Sequence, residues 1–379
     1  MLAVIADDLT GAAELAGIGL RYQLSVELIT PGAKSTGADL LVVSTDSRSM
    51  NLKEAEKITV DTVRQVQELG PEFIYKKIDS VLRGHILDEL KIEMKLLGLS
   101  KALIIPANPS LGRTIKNGKY FINGDSISET DFVTDPEFAI NDSSVLKMIK
   151  DEAGDVVLLK HTDTLPNKGI VIGEAVSDED VAAWSAKIDS SWLLVGAGDF
   201  FTALLDRRHI SRAQPEILME SPHLYVSGTA FGKSQELIKK IERELQCVAY
   251  IPASMIQTGS IKSDRWFDTL KGIIEKQGKA VVAINDEEVD PWSVSPVHLR
   301  VTMAKAIKKI LEQGNVKELF IEGGSTAAAI LAELGINRLL LVNELQRGVV
   351  RMKAKDIYIT VKPGSYSLPE QIKELYLLT

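Results

Sequence analysis

The sequence predicts an α/β protein of two domains, each a mostly parallel sheet flanked by helices. Short apolar runs alternate with longer amphipathic ones from the first residues onward, the pattern of parallel strands joined by crossover helices. At 379 residues the chain exceeds what a single compact core usually holds. Its 45% hydrophobic and 25% charged residues suit a chain that buries cores and stays in solution, which excludes large-scale disorder.

Residues 2–6 read as a buried strand, and after Gly11 the residues Leu15, Ala16, Gly19 and Leu20 fall on one helical face. Residues 40–43 read as another strand. Leu52, Ala55, Thr59, Thr62, Val63 and Val66 then follow the helical period, and Gly70-Pro71 ends that helix. A strand over 73–75, a helix over 86–97 and a strand over 102–105 follow, the last stopped by Pro106. From 108 to 142 the pattern weakens into Pro, Gly, Asn, Asp and Ser. That stretch is too long for an ordinary connection and predicts a lid or a small hairpin excursion.

Alternation resumes with strands at 156–159 and 170–172, a helix at 178–187 and a strand at 192–195. Two prolines and few periodic apolar residues at 214–223 place the boundary there, giving domains of 1–214 and 222–379. The second half reads as strand 224–227, helix 233–245, strand 280–284, helix 301–313, strand 319–321 and helix 327–334, with strands near 339–342 and 357–361. No internal repeat or low-complexity tract interrupts it.

Lys and Arg number 44 against 52 Asp and Glu, a net charge of −8. The sequence pI is near 5.4. This argues against a nucleic-acid binder, which needs a positive field, yet allows a local basic pocket for an anionic ligand. The single cysteine, Cys247, excludes an intramolecular disulfide and any multi-cysteine metal site. No apolar stretch approaches the length that spans a bilayer, and Asp7 and Asp8 interrupt the apolar start, so no signal peptide is read there. A cytoplasmic protein without a membrane partner is expected, with room for a homo-oligomer. The five histidines show no metal-ligand spacing.

The strongest local feature is Ala6-Asp7-Asp8-Leu9-Thr10-Gly11-Ala12-Ala13-Glu14, paired carboxylates at the carboxyl end of the first strand, before a helix. Ligands of open α/β sheets bind at that edge. A carboxylate there can accept from substrate hydroxyls, act as a general base or hold Mg²⁺, or merely cap the helix. At the end of the second predicted strand, Arg48 in Thr45-Asp46-Ser47-Arg48-Ser49 either clamps a carboxylate or phosphate or pairs with Asp46 on the surface. Tyr75-Lys76-Lys77-Ile78-Asp79-Ser80-Val81-Leu82-Arg83-Gly84 adds lysines, an acid, a hydroxyl and an arginine at the third. Three strand ends therefore converge on charged groups that suit a small polyhydroxy acid, with cations for its carboxylate and acids for its hydroxyls.

In the second half, Phe320-Ile321-Glu322-Gly323-Gly324-Ser325-Thr326-Ala327 is a strand, a Gly-Gly-Ser-Thr turn and a helix start. Glycines let the backbone approach a phosphate while the helix terminus supplies free N–H groups. The turn is neither a Walker A loop nor a dinucleotide fingerprint. Val226-Ser227-Gly228-Thr229 and Lys362-Pro363-Gly364-Ser365 also end strands. Three such ends in one domain favour a nucleotide phosphate site over a set of plain turns.

The order of these motifs resembles the four-carbon acid sugar kinases, a family that includes D-threonate, D-erythronate and 3-oxo-tetronate kinases. The resemblance spans nearly the whole chain. It rests on Ala6 through Ala12, Lys77 through Gly84, Pro106-Ala107-Asn108-Pro109 with Gly112-Arg113-Thr114, and the later glycine motifs. It implies an N-terminal sugar-acid-binding domain, a C-terminal nucleotide-binding domain and an active site in the cleft between them, with ATP and Mg²⁺ used to phosphorylate the terminal hydroxyl. Carried over, Asp8, Arg48, Lys77, Ile78, Asp79, Ser80 and Arg83 would hold the substrate, with Asp8 or Asp79 catalytic. Ser227, Gly323, Gly324, Ser325, Thr326 and Gly364 would meet ATP. The chain is somewhat short for the family, Val81 stands where Thr is common, Glu14 where Asp is frequent, and Ser365-Tyr366-Ser367 closes the last motif. These departures bear on the exact substrate more than on the reaction; the alternative readings are a kinase for a different sugar acid and a non-catalytic sensor of a sugar acid and nucleotide.

Overall fold

A computed structural model describes residues 1–35, 37–134, 138–208, 218–228, 232–285, 294–364 and 366–376. The chain forms two compact units, Met1–Ala213 and Gln214–Thr379. Residues 214–217, Thr229 and Ser365, on which the expected boundary and two motif ends fall, lie outside the described residues.

The first unit comprises β1 (Leu2–Ala6), α1 (Leu9–Arg21), β2 (Val26–Ile29), β3 (Leu40–Ser44), α2 (Leu52–Glu68), β4 (Ile74–Lys77), α3 (Ile86–Leu97), β5 (Lys101–Ile105), β6 (Arg113–Lys116), β7 (Lys119–Ile122), β8 (Asp125–Ser126), α4 (Val145–Met148), β9 (Val156–Leu159), β10 (Gly169–Gly173), α5 (Asp178–Ala186), β11 (Trp192–Gly196) and α6 (Gly198–Asp206). Strands β2-β3-β1-β4-β11-β5-β10-β9 lie side by side in that order, every pair parallel. Helices cover a parallel sheet on both faces, which is why β1 and β3 read as unbroken apolar runs and are buried throughout.

Asp8 caps α1, and Gly19 of that helix stands so close to β3 that a Cβ there would meet Leu40 at 2.4 Å. In α2, Ala55, Thr59, Thr62, Val63 and Val66 form the buried stripe. Leu52, expected on it, is exposed because it opens the helix beside the Asn51 cap. Between β5 and β9 the expected excursion is an antiparallel three-stranded sheet, β6-β7-β8, anchored by buried Ile115, Tyr120 and Ile127.

The second unit comprises β12 (His223–Ser227), α7 (Gly232–Leu245), β13 (Val248–Tyr250), α8 (Ala253–Thr258), α9 (Asp264–Gln277), β14 (Lys279–Ala283), α10 (Pro296–Gln313), β15 (Glu318–Glu322), α11 (Gly324–Glu333), β16 (Arg338–Gln346), β17 (Val349–Ala354), β18 (Ile357–Lys362) and α12 (Glu370–Tyr376). Its sheet order is β13-β14-β12-β15-β18-β17-β16. Pairing is parallel as far as β18 and antiparallel beyond. Tyr225 packs edge-on against Phe320 and Tyr376, ring centroids 4.8 and 5.6 Å away, in the main core cluster of this unit. Among the described residues no helix is long and apolar enough to cross a membrane.

Candidate active site

In the first unit β1 lies between β3 and β4, with Ala6 in register with Ser44 and Lys77. The carboxyl ends of three adjacent strands therefore bring Asp7, Asp8, Arg48, Lys77 and Asp79 together, as ligand sites of open sheets require. Alternation along β4 sends Lys76 and Lys77 to opposite faces. Lys77 approaches Glu14 of α1 at 3.5 Å and donates to the Ile78 carbonyl at 2.9 Å. Lys76 is fully buried against Glu89 and Glu93 of α3.

Arg48 is the centre of this site. Its Nε and Nη2 donate to Asp7 at 2.9 and 2.8 Å, Nη2 also donates to Asp8 at 2.7 Å, and Nη1 stands 3.9 Å from Asp79. Asp46, two residues before it, turns the chain with a left-handed φ of 52°. Asp8 also accepts from the Gly11 N–H at 3.0 Å and from the Thr10 hydroxyl. It is therefore both a helix cap and a member of the charged site.

Environment separates the two adjacent acids. Burial raises the Asp7 carboxyl above the ordinary range despite the opposing pull of Arg48. For Asp8, burial acts the same way but is outweighed by Arg48, Lys77 and the Thr10 hydrogen bond, so its pKa is lowered. Asp79 is also held low, because Arg83, Arg48 and Arg113 together overcome its burial. Arg83 donates to it at 2.6 Å through Nε and 3.2 Å through Nη2.

The hairpin excursion contributes a residue that the strand-end pattern did not single out. Arg113 opens β6 and hydrogen-bonds the Ser80 hydroxyl. Arg83 also lies 5.5 Å from the centre of the Phe132 ring in the same excursion. Asn108 caps the arrangement from β5, accepting from the Asp199 N–H at 2.8 Å, while Asp199 accepts from the backbone and hydroxyl of Ser110 at 3.0 and 2.8 Å. Asp199 had no motif around it and only its place in the first turn of α6, after a strand, could have flagged it.

In the second unit, β12, β15 and β18 are neighbours, so the three glycine-bearing ends meet. Ser227 closes β12, Gly323 precedes α11 with a φ of +107°, and Gly324, Ser325 and Thr326 form its first turn. Gly364 follows β18. A Cβ on Gly228 would lie 2.1 Å from the Thr326 hydroxyl, so this close crossing requires glycine. The N-terminus of α11 offers free N–H groups for an anion.

Beneath these turns lies Glu322, which sequence reasoning quoted without giving it a role. It accepts from Tyr225 at 2.5 Å, Ser227 at 3.3 Å and Ser234 at 2.6 Å, and pairs with Lys362 at 2.7 Å. Among the described residues no group of three or more His, Cys, Asp and Glu side chains could hold a metal ion.

Residues 2–204 match the model of a family described as the sugar-binding N-terminal domain, and residues 224–366 match one described as the nucleotide-binding C-terminal domain. The D-threonate kinase of Salmonella typhimurium is 24% identical, the match covering 96% of this chain and 94% of the relative. The D-threonate kinase of Cupriavidus necator is 28% identical, with 91% and 88% covered. The 3-oxo-tetronate kinase of Brucella melitensis is 23% identical, with 96% and 92% covered. A solved Haemophilus influenzae structure shares the fold with a TM-score of 0.75 at 20% identity, over 98% of both chains.

Proposed function

The chain belongs to the four-carbon acid sugar kinase family, and from that premise we propose that it uses ATP to phosphorylate the terminal hydroxyl of a four-carbon sugar acid of the threonate, erythronate or oxo-tetronate type. The observation that carries this reading is the single network joining Asp7, Asp8, Arg48 and Asp79 at the ligand edge of the first sheet. The names of the relatives support kinase chemistry on such acids.

In this reaction the first unit binds the sugar acid and the second binds the nucleotide. Arg48 and Lys77 receive the substrate carboxylate, together with Arg83, whose side chain is 21% exposed against 13% and 4% for the other two. Ile78 and Ser80 shape the pocket floor. Asp79 stays ionised between arginines and accepts from substrate hydroxyls, and Asp8 orients the attacking hydroxyl and takes its proton. Phosphoryl transfer depends mostly on positioning and charge stabilisation, so a weakly basic carboxylate in the right place is sufficient.

Ser227, Gly323, Gly324, Ser325, Thr326 and Gly364 cradle the phosphates with backbone and hydroxyl donors. The described residues do not form a protein cage for Mg²⁺: Glu322, the carboxylate at the turns, is already saturated by protein donors. Magnesium would enter with the nucleotide as MgATP, its charge offsetting that of the phosphates.

The test is ADP release from MgATP across D- and L-threonate, D- and L-erythronate and their 2-oxo and 3-oxo relatives. Turnover with one of these acids establishes the activity and its stereochemistry. No turnover with any of them, while MgATP still binds, would overturn the substrate class and leave the nucleotide site.

A further inference from the structure

A sequence motif that reads Lys-Pro-Gly at a strand end invites the assignment of Lys362 as a phosphate ligand. Its ammonium is enclosed by protein acceptors. Lys362 is 2% exposed, pairs with Glu322 at 2.7 Å, and donates to the carbonyls of Pro363 at 2.9 Å and Tyr366 at 2.6 Å. With three protons, it is occupied by these acceptors.

Glu322 is equally enclosed, at 1% exposure. Its four partners come from three elements: Tyr225 and Ser227 from β12, Ser234 from α7 and Lys362 from β18. The backbone repeats the link, since Gly228 N–H donates to the Glu322 carbonyl and Gly323 N–H to the Lys362 carbonyl, both at 2.9 Å. The pair thus ties together every element end that carries a glycine turn. A buried charge pair with all its hydrogen bonds made is tolerated, whereas either member alone would be an uncompensated buried charge.

We propose that Glu322 and Lys362 are positioning residues that hold the three glycine turns in register for the nucleotide phosphates, the lysine acting on the turns and not on the phosphate. This rests on the nucleotide-binding reading of the second unit. Because the two groups act as one unit, the loss on replacing both is expected to be much smaller than the two single losses combined.

Calorimetric titration of MgATP into the full chain, its Glu322→Gln and Lys362→Met variants and the double variant tests it, with KM for the sugar acid measured alongside. Each single change is expected to weaken MgATP binding by about tenfold and leave KM for the acid unchanged, and the double variant is expected to be no weaker than the worse single. A double variant weakened by the product of the two single losses, about 100-fold, or single variants with unaltered affinity, would overturn it. If the charged singles do not fold, Tyr225→Phe removes one bond to Glu322 and should weaken MgATP about threefold; unchanged affinity there would equally overturn it. A wild-type chain that binds no MgATP would remove the nucleotide-site reading itself, and the positioning role with it.

Discussion

Arg48 holds Asp7 in a two-pronged grip, Nε to Oδ2 at 2.9 Å and Nη2 to Oδ1 at 2.8 Å, while the same Nη2 reaches Asp8 at 2.7 Å. A planar fork meets two acids at once, which a lysine ammonium cannot reproduce. Arg48→Lys keeps the charge and loses the geometry, so Asp8 is left to drift. An error of about 1 Å at a reacting group lowers rate by roughly 100-fold, and kcat/KM for the sugar acid is expected to fall by that order with KM for ATP unchanged. Steady-state kinetics with the preferred acid check this, and an Arg48→Lys enzyme of wild-type efficiency would exclude the grip from the mechanism.

Asp8→Asn separates the cap from the chemistry. Its amide oxygen still accepts from the Gly11 N–H, as asparagine does at many helix starts, so the fold should persist. The proton acceptor is lost, and kcat is expected to fall by about 100-fold or more while MgATP affinity stays the same. Isothermal titration beside single-turnover assays distinguishes the two effects. Unaltered single-turnover rates would remove Asp8 as the base.

Arg113 reaches the site from β6 and bonds the Ser80 hydroxyl beside Asp79. Removing a charged hydrogen-bond donor changes binding by about 1.5–3 kcal/mol. Arg113→Met should therefore raise KM for the sugar acid about tenfold or more, with kcat less affected. Substrate saturation curves decide it: a lowered kcat at unchanged KM would place Arg113 in the transition state instead.

The parallel core was legible because burial on both faces leaves apolar runs such as β1 and β5, and the charged strand ends stood out against them. Short edge elements were not. Val26–Ile29 carries Glu27 in its centre, and Val248–Tyr250 is only three residues long, so neither gives a clear period. The polar excursion left its β6-β7-β8 pairing invisible, and with it the approach of Arg113 to Ser80. Motifs in sequence located Asp8, Arg48 and Lys77 by strand ends. What they could not supply was partnership across elements: that Arg48 bridges two acids, or that Glu322 gathers donors from β12, α7 and β18. One such partnership did have a signal, since Glu89 and Glu93 are four residues apart on α3 and face the buried side of β4.

Those two carboxylates share the single ammonium of Lys76, which remains charged because Glu89 and Glu93 outweigh its burial. Burial lifts the Glu93 carboxyl from 4.5 to about 7, against the pull of Lys76. A pKa raised on folding means the folded chain binds the proton more tightly, so this contribution is complete below about 4.5 and is lost as pH rises through about 7. The loss across that window is on the order of 3 kcal/mol. Urea unfolding across this range should show wild-type stability declining, and Glu93→Gln, which mimics the protonated acid, should flatten the decline. A wild-type chain whose stability relative to Glu93→Gln stays constant across the window would show that Glu93 is ionised throughout and that Lys76 balances both acids.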